Sequence, residues 1–179
     1  MEHHVDPADH ALAGFDIRHP RVEDYLAIVD AIDAWWDGLL RPANALVQRL
    51  FLEHFRDTSF IVYEEATLAA FLIGFLSQSE SDEAYIHFAG VAPQFRSRGL
   101  GRHLYEMFFD IARDNGRSTV RCITSPSNRQ SIAFHRRLGF DLSIGDGEAD
   151  GIPVSRDHGG RDLPMVVFEK DLRTQTIYR

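Results

Sequence analysis

Val91–Phe109 reads VAPQFRSRGLGRHLYEMFF. It leaves an apolar, strand-like run and ends inside an amphipathic helix, so the turn between them decides how the chain is organised. That turn is Arg96-Ser97-Arg98-Gly99-Leu100-Gly101-Arg102. Two glycines one residue apart let the backbone turn tightly and let a ligand approach with no Cβ in the way. The following helix leaves its first N–H groups without intrahelical partners, and its dipole favours negative charge there. Together these features suit a phosphate or pyrophosphate. Arg96, Arg98 and Arg102 add local positive charge to a chain whose formal net charge is −8.

Two common phosphate loops do not fit. No G-x-x-x-x-G-K-[ST] run occurs, and in a G-x-G-x-x-G reading the third glycine position falls on Leu104. What fits is R-x-x-G-x-G, on Arg96, Gly99 and Gly101. Set between a strand and a helix, it resembles the pyrophosphate loop of the GNAT superfamily of acyl-coenzyme A-dependent N-acyltransferases. A second stretch, SNRQSIAFHRRLGF at Ser127–Phe140, resembles the N-x-x-[AS]-x-x-[FL]-[YH]-x-x-x-G-F run of that superfamily, on Asn128, Ser131, Phe134, His135, Gly139 and Phe140. An amphipathic helix with a glycine stop explains Gly139 and Phe140 alone, but not the arrival of the run one strand after a phosphate loop. The resemblance extends over Phe15–Leu172, with its diagnostic residues inside Val91–Phe140.

The 179 residues suffice for one domain with a sizeable core. A hydrophobic content of 44% and 26% charged residues are ordinary for a globular chain. The acidic balance argues against general binding to nucleic acid or anionic membrane and suits a neutral or cationic substrate. The lone cysteine, Cys122, rules out an internal disulfide and favours a reducing compartment; it reads as a small core residue. No basic leader and no membrane-length apolar stretch is present, so a cytoplasmic protein is expected. His3, His4 and His10 lie in a polar start with no second cluster to complete a metal site, so no metal is expected. The expected organisation is a flexible segment at 1–13, a single acyl-CoA N-acyltransferase domain at 14–172 and a tail at 173–179.

Periodicity then orders the elements. Phe15–Arg18 alternates as a strand. Val22–Trp36 has helical spacing, with Val22, Leu26, Val29, Ile32 and Trp36 expected to face the core. A second helix is expected over Ala43–Phe55, buried through Leu46, Leu50, Phe51 and Phe55. Phe60–Tyr63 and Leu68–Ser77 read as a hairpin, the second strand apolar on both faces and so central. Ala84–Val91 is a strand feeding the glycine turn. Gly99–Asn115 is a helix buried through Leu104, Met107, Phe108 and Ile111 and stopped at Asn115-Gly116. Ser118–Thr124 is a strand, Asn128–Leu138 a helix closed by Gly139, and Phe140–Ile144 and Pro164–Asp171 are last strands. Residues 145–162 are too rich in Gly and Asp to assign. The order is β-α-α-β-β-β-α-β-α-β-β.

The resemblance implies an α/β (α+β) fold with a mixed, mostly antiparallel central sheet of about seven strands, flanked by four helices. It implies that strands four and five splay apart and hold coenzyme A between them. The backbone of Phe88, Ala89, Gly90 and Val91 would pair with the pantetheine amides as an added strand does. The turn residues Arg96, Ser97, Arg98, Gly99, Leu100, Gly101 and Arg102 would hold the pyrophosphate. Asn128, Ser131 and Phe134 would contact the pantetheine arm. The implied activity is direct acetyl transfer from acetyl-CoA to a primary amine of a small molecule or a protein; a non-catalytic acyl-CoA-binding regulatory domain is the competing class. A homodimer is compatible with the residues.

Direct transfer needs a neutral amine, a donor for the developing oxyanion and a proton for the leaving thiolate. Many relatives carry Tyr as the acid where this chain has His135. For the base, His87 acting through water is the choice on the fourth strand, with Tyr85 beside it; Glu83 is at the edge, and no carboxylate occupies Ala84–Val91. In this family the loop between the first two helices borders the acceptor. Here Asp33, Trp35 and Asp37 are the acceptor-side candidates, an aromatic with carboxylates suiting an ammonium group. Trp36 is assigned to the core stripe, leaving Trp35 to face a ligand.

Overall fold

The computed structural model describes residues 12–36 and 43–173. His3, His4, His10 and Asp37 lie outside them. The elements are β1 (Phe15–Arg18), α1 (Tyr25–Trp35), α2 (Ala43–Leu46), α3 (Leu50–His54), β2 (Phe60–Glu64), β3 (Thr67–Leu76), β4 (Glu83–Val91), α4 (Leu100–Asp114), β5 (Thr119–Thr124), α5 (Arg129–Arg137), β6 (Asp141–Leu142), β7 (Gly147–Ala149), β8 (Ile152–Val154) and β9 (Val166–Asp171). Seven strands form one mixed sheet in the order β1-β2-β3-β4-β5-β9-β6, and β7 and β8 form a separate hairpin inside the stretch left unassigned above. Among the described residues no helix is long and apolar enough to cross a membrane. The chain divides into two compact units, Met1–Phe75 with Phe88–Asp110 and Leu76–His87 with Ile111–Arg179.

In the first unit β1, β2 and β3 are antiparallel neighbours, with Phe15 opposite Glu64 and a register shift between Val62 and Tyr63. The core is Ile28, Ile32, Val47, Leu52, Ile61, Phe71 and Ile73, all fully buried. Two expected stripes are corrected here. On α1 the buried residues are Ile28, Ala31 and Ile32, while Leu26 is 68% exposed. The α1 sequence is apolar at enough positions to admit two helical phases, and the sheet selects the one containing Ile28. The expected second helix is two short ones, and the break between α2 and α3 turns Leu52 inward and leaves Leu50 40% exposed.

Gly74 on β3 accommodates a ring: a Cβ there would lie 2.4 Å from Cε2 of Phe108 on α4. Gly74 lies beyond the residue paired with Phe60, the first of β2, and side chains serve its backbone instead. The Thr58 hydroxyl donates to the Gly74 carbonyl at 2.6 Å, and Ser59 Oγ accepts from its N–H at 3.2 Å. Asp24 is also buried. Its carboxylate accepts from Arg18 at both oxygens at 2.8 Å, from the Arg21 N–H at 2.6 Å and from the Tyr63 hydroxyl at 3.3 Å. Burial by itself would raise this carboxyl, but the bonds from Arg18, Arg21 and Tyr63 outweigh it and hold it below the ordinary range.

In the second unit β5 pairs with β9 antiparallel over six residues, from Thr119 opposite Asp171 to Thr124 opposite Val166. The parallel ladder of β4 with β5 is registered over Glu83–Tyr85 against Thr119–Arg121, in keeping with the expected splay of the fourth and fifth strands. Arg121 bridges Glu83 at 2.7 Å and Glu169 at 2.9 Å across these strands. Cys122 is buried, as expected of a core residue. Lys170 is buried too, and its ammonium caps the end of α5 by donating to the Leu138 carbonyl at 2.8 Å. His135 is buried on α5, stacked on Phe168 with ring centres 4.5 Å apart.

Removing the Asp24 carboxylate leaves Arg18 half-buried without its bidentate partner. Asp24→Asn should cost about 2–3 kcal/mol, measured as a lower urea midpoint. His135 gives a pH test. Burial, partly offset by the hydrogen bond to the Ser131 carbonyl, lowers its pKa to about 4. The unfolded imidazole takes up protons near pH 6.5 and the folded one does not. Its stabilising contribution is therefore complete above about pH 6.5 and is lost as pH falls toward 4, on the order of 3 kcal/mol in all. His135→Phe should flatten the fall in stability between those pH values, and equal pH slopes in variant and wild type would refute this account.

Candidate functional site

The end of β4 is tied to β3, because the Ala92 N–H donates to the Ala69 carbonyl at 2.9 Å. Pro93 opens a single 3-10 turn ending at Phe95, which is buried. The chain then changes hand twice. φ is positive at Ser97 (64°) and at Gly99 (85°), but not at Arg98 between them. Positive-φ residues in a turn can bring successive N–H groups toward one side, as in an anion-binding concavity. The Gly99 carbonyl accepts from the His103 N–H at 3.0 Å, so Gly99 caps α4 and the N–H groups of Leu100, Gly101 and Arg102 precede that bond. No heavy atom lies within 4 Å of where a Gly99 Cβ would stand. The backbone here fits a pyrophosphate: open, rich in donors and at the positive end of a 15-residue helix.

The turn's side chains are differently disposed. Leu100 is core, 1% exposed, so only its backbone can serve a ligand. Arg96 Nε donates to the Val91 carbonyl at 3.3 Å. Arg98 pairs with Glu64 at 3.0 Å and lies over the rings of Phe15 and Phe95, at 4.5 and 5.5 Å. Arg102 is 3.9 Å from Glu106. Sequence reasoning missed Glu64 and Phe15 as neighbours of this turn. Their proximity follows from the β1–β2 register, for which the turn itself carries no signal.

Within the same unit, four rings gather over the end of β4. Trp35 stacks on Phe71 at 5.6 Å, Trp36 meets Phe88 edge-on at 5.5 Å, and Phe71 and Phe88 lie 6.0 Å apart, nearly parallel. A Cβ on Gly90 would come within 2.8 Å of Trp36 and 3.1 Å of Trp35. The expected division between a core Trp36 and an outward Trp35 is thus corrected. Both are half-buried, because Trp35 continues the Ile28–Ile32 stripe. Asp33 is exposed, and Phe88, Ala89 and Val91 are half-buried.

In the second unit, Tyr85 and His87 are two residues apart on β4 and alternate onto one face of the strand. Both are half-buried. Burial, and to a lesser degree Cys122 beside it, pushes the Tyr85 phenol up to about 12, so it keeps its proton at any physiological pH. On α5, Asn128 is the cap, its side-chain oxygen accepting from the Ser131 N–H at 3.1 Å. Phe134 meets His135 edge-on at 5.5 Å. His135 Nδ1 is 2.8 Å from the Ser131 carbonyl and 3.3 Å from the Ser131 hydroxyl. A carbonyl only accepts, so Nδ1 carries the ring proton, assigned from its partner. With its pKa near 4 the ring is neutral at pH 7, and Nε2 then has no proton to give.

The family model described as Acetyltransferase (GNAT) family matches residues 28–140. The [Ribosomal protein bS18]-alanine N-acetyltransferase of Escherichia coli (strain K12) is 33% identical over 86 residues, covering 48% of this chain and 56% of its own length. An uncharacterized N-acetyltransferase of Methanocaldococcus jannaschii is 38% identical over 58 residues, 32% of this chain and 26% of its own. The chain thus matches from about a quarter to just over half of the length of these curated relatives. In fold, it is similar to an Arabidopsis thaliana protein solved in complex with the bisubstrate analogue CoA-Ac-MVNAL, with a TM-score of 0.70 at 13% identity, over 89% of this chain and 99% of that one. With more than half of its residues inside the family match, and with that family's fold, the chain belongs to the acetyltransferase (GNAT) family.

Proposed function

We propose that this protein moves an acetyl group from acetyl-CoA to a primary amine, of a small molecule or a protein, by direct attack in a ternary complex. The observation that carries this reading is the pair of positive-φ residues, Ser97 and Gly99, immediately ahead of α4. The turn 96–102 holds the pyrophosphate through backbone N–H groups. Phe88–Val91 pairs with the pantetheine amides as an added strand, and Ser131 and Phe134 border the arm. Asn128 contributes by capping α5, since its side-chain oxygen is engaged there. The bisubstrate analogue bound by the Arabidopsis relative supports a complex in which both substrates are held at once.

The chemistry assigned to the chain's own residues is short. The acceptor ammonium gives a proton through water to His87, and the free amine forms a bond to the thioester carbonyl carbon. A backbone N–H of β4 stabilises the oxyanion. The carbon–sulfur bond then breaks as the attacking nitrogen sheds its second proton to water, and the thiolate takes a proton from an acid that the shed proton restores. We assign that acid role to Tyr85, which retains a proton, rather than to His135, whose proton is on Nδ1 at the Ser131 carbonyl. Asp33 and Asp37 are kept as acceptor-side carboxylates. Trp35 contributes by shaping the surface under Gly90. The withdrawal of His135 from acid duty is the observation that favours the second reading, a non-catalytic acyl-CoA-binding domain.

Gly99→Val tests the loop. A branched residue resists a φ of 85°, so the turn should lose its shape although space for the side chain exists. Calorimetry should show coenzyme A affinity reduced by about tenfold or more in a folded variant, and unchanged affinity would refute the loop assignment. Turnover across an amine panel separates the two readings. Tyr85→Phe should lower kcat by roughly a hundredfold with coenzyme A binding retained. The rise of kcat/KM with pH should vanish in His87→Gln and persist in His135→Phe. Tight acetyl-CoA binding with no transfer to any amine would establish the binding domain instead.

A further inference from the structure

We propose that Arg98 is a positioning residue, one that holds the 96–102 turn in its anion-binding shape instead of lending its charge to the phosphates. The inference rests on the acetyl-CoA reading above. Arg98 sits between the two positive-φ residues of the turn. One of these, Ser97, has a Cβ and pays for the left-handed conformation, so the turn persists only if its surroundings over-determine it. Arg98 ties the turn to β1 and β2. Its guanidinium pairs with Glu64 at the end of β2 and lies 4.5 Å over Phe15 of β1. Phe15 and Glu64 are opposite partners in the β1–β2 ladder, so their side chains share one face and receive the guanidinium together. On its other side is Phe95, the buried last residue of the 3-10 turn, itself edge-on to Phe15 at 5.8 Å. A carboxylate and two rings contact this exposed cation, and all three contacts are weakened if the guanidinium swings out to a phosphate.

Two roles for Arg98 predict opposite signs for Glu64→Gln. If Arg98 served phosphate directly, removing its competing carboxylate would free it and tighten coenzyme A binding. If it positions the turn, the same substitution loosens the turn and weakens binding. Calorimetry with coenzyme A at about 0.15 M ionic strength decides this, with Glu65→Gln as the control for a lost charge nearby. Glu64→Gln should weaken binding roughly twofold to fivefold relative to that control, the range of an exposed pair. Phe15→Leu, which changes no charge, should weaken it as well. Tighter binding in Glu64→Gln, or unchanged binding in both variants, overturns the proposal. Amide hydrogen exchange on the ligand-free protein gives a reading independent of coenzyme A. Exchange over 96–102 should quicken in both variants, and unchanged exchange overturns the positioning role. Wild-type protein that fails to bind coenzyme A would sink the functional reading, and the exchange result would then decide the role of Arg98.

Discussion

Backbone handedness at Ser97 and Gly99 is the constraint on which the functional reading depends. Two positive-φ residues, with Arg98 between them, stand immediately ahead of a long helix. Gly99 takes this conformation freely, but Ser97 does not, so the flanking structure must hold it. It does so on both sides. Before the turn, Ala92 is bonded to β3 and Phe95 is buried. After it, Leu100, Leu104 and Phe108 anchor α4, with Phe108 seated where Gly74 lacks a Cβ. A glycine on β3 therefore helps to set the geometry of a turn well removed from it in sequence.

Charge plays a smaller part than the three arginines suggest. The chain is acidic overall, and within the turn Arg98 and Arg102 have carboxylates of their own in Glu64 and Glu106. In the proposed reading anion recognition falls to oriented backbone dipoles, which need no net positive charge and do not shift when a side chain moves. Gly90 applies the same economy to β4. The missing Cβ lets the Trp35 and Trp36 rings close over the strand, and the core of the first unit runs without a gap onto the backbone expected to serve the pantetheine arm.

The two histidines considered for proton transfer part company on environment. His135 is wedged among Phe134, Phe140 and Phe168, which disfavours its charged form, while the Ser131 carbonyl fixes the tautomer. His87 shares a strand face with Tyr85, whose phenol retains its proton. Family membership alone does not choose among these groups, since the motif position at His135 is compatible with either chemistry or packing.

Much of this protein was determined by its sequence alone. Glycine spacing marked the turn, alternation marked the strands, and Asn128 with Gly139 bracketed α5, because these features act over a few residues and leave local signatures. The succession of elements was legible too, but the insertion of β9 between β5 and β6 was not. Other features were decided only in the tertiary structure. Apolar periodicity showed that α1 has a buried stripe, but only the sheet beneath it chose Ile28 over Leu26 and drew Trp35 inward. The β7–β8 hairpin was hidden by a Gly- and Asp-rich composition that suits a loop equally well. The engagement of Arg98 and the neutrality of His135 depend on Glu64, Phe15 and Phe168, which are distant in sequence and brought close by strand register and helix packing. Local sequence encodes what the backbone prefers. Burial, pairing and protonation are properties of neighbours, and folding supplies those.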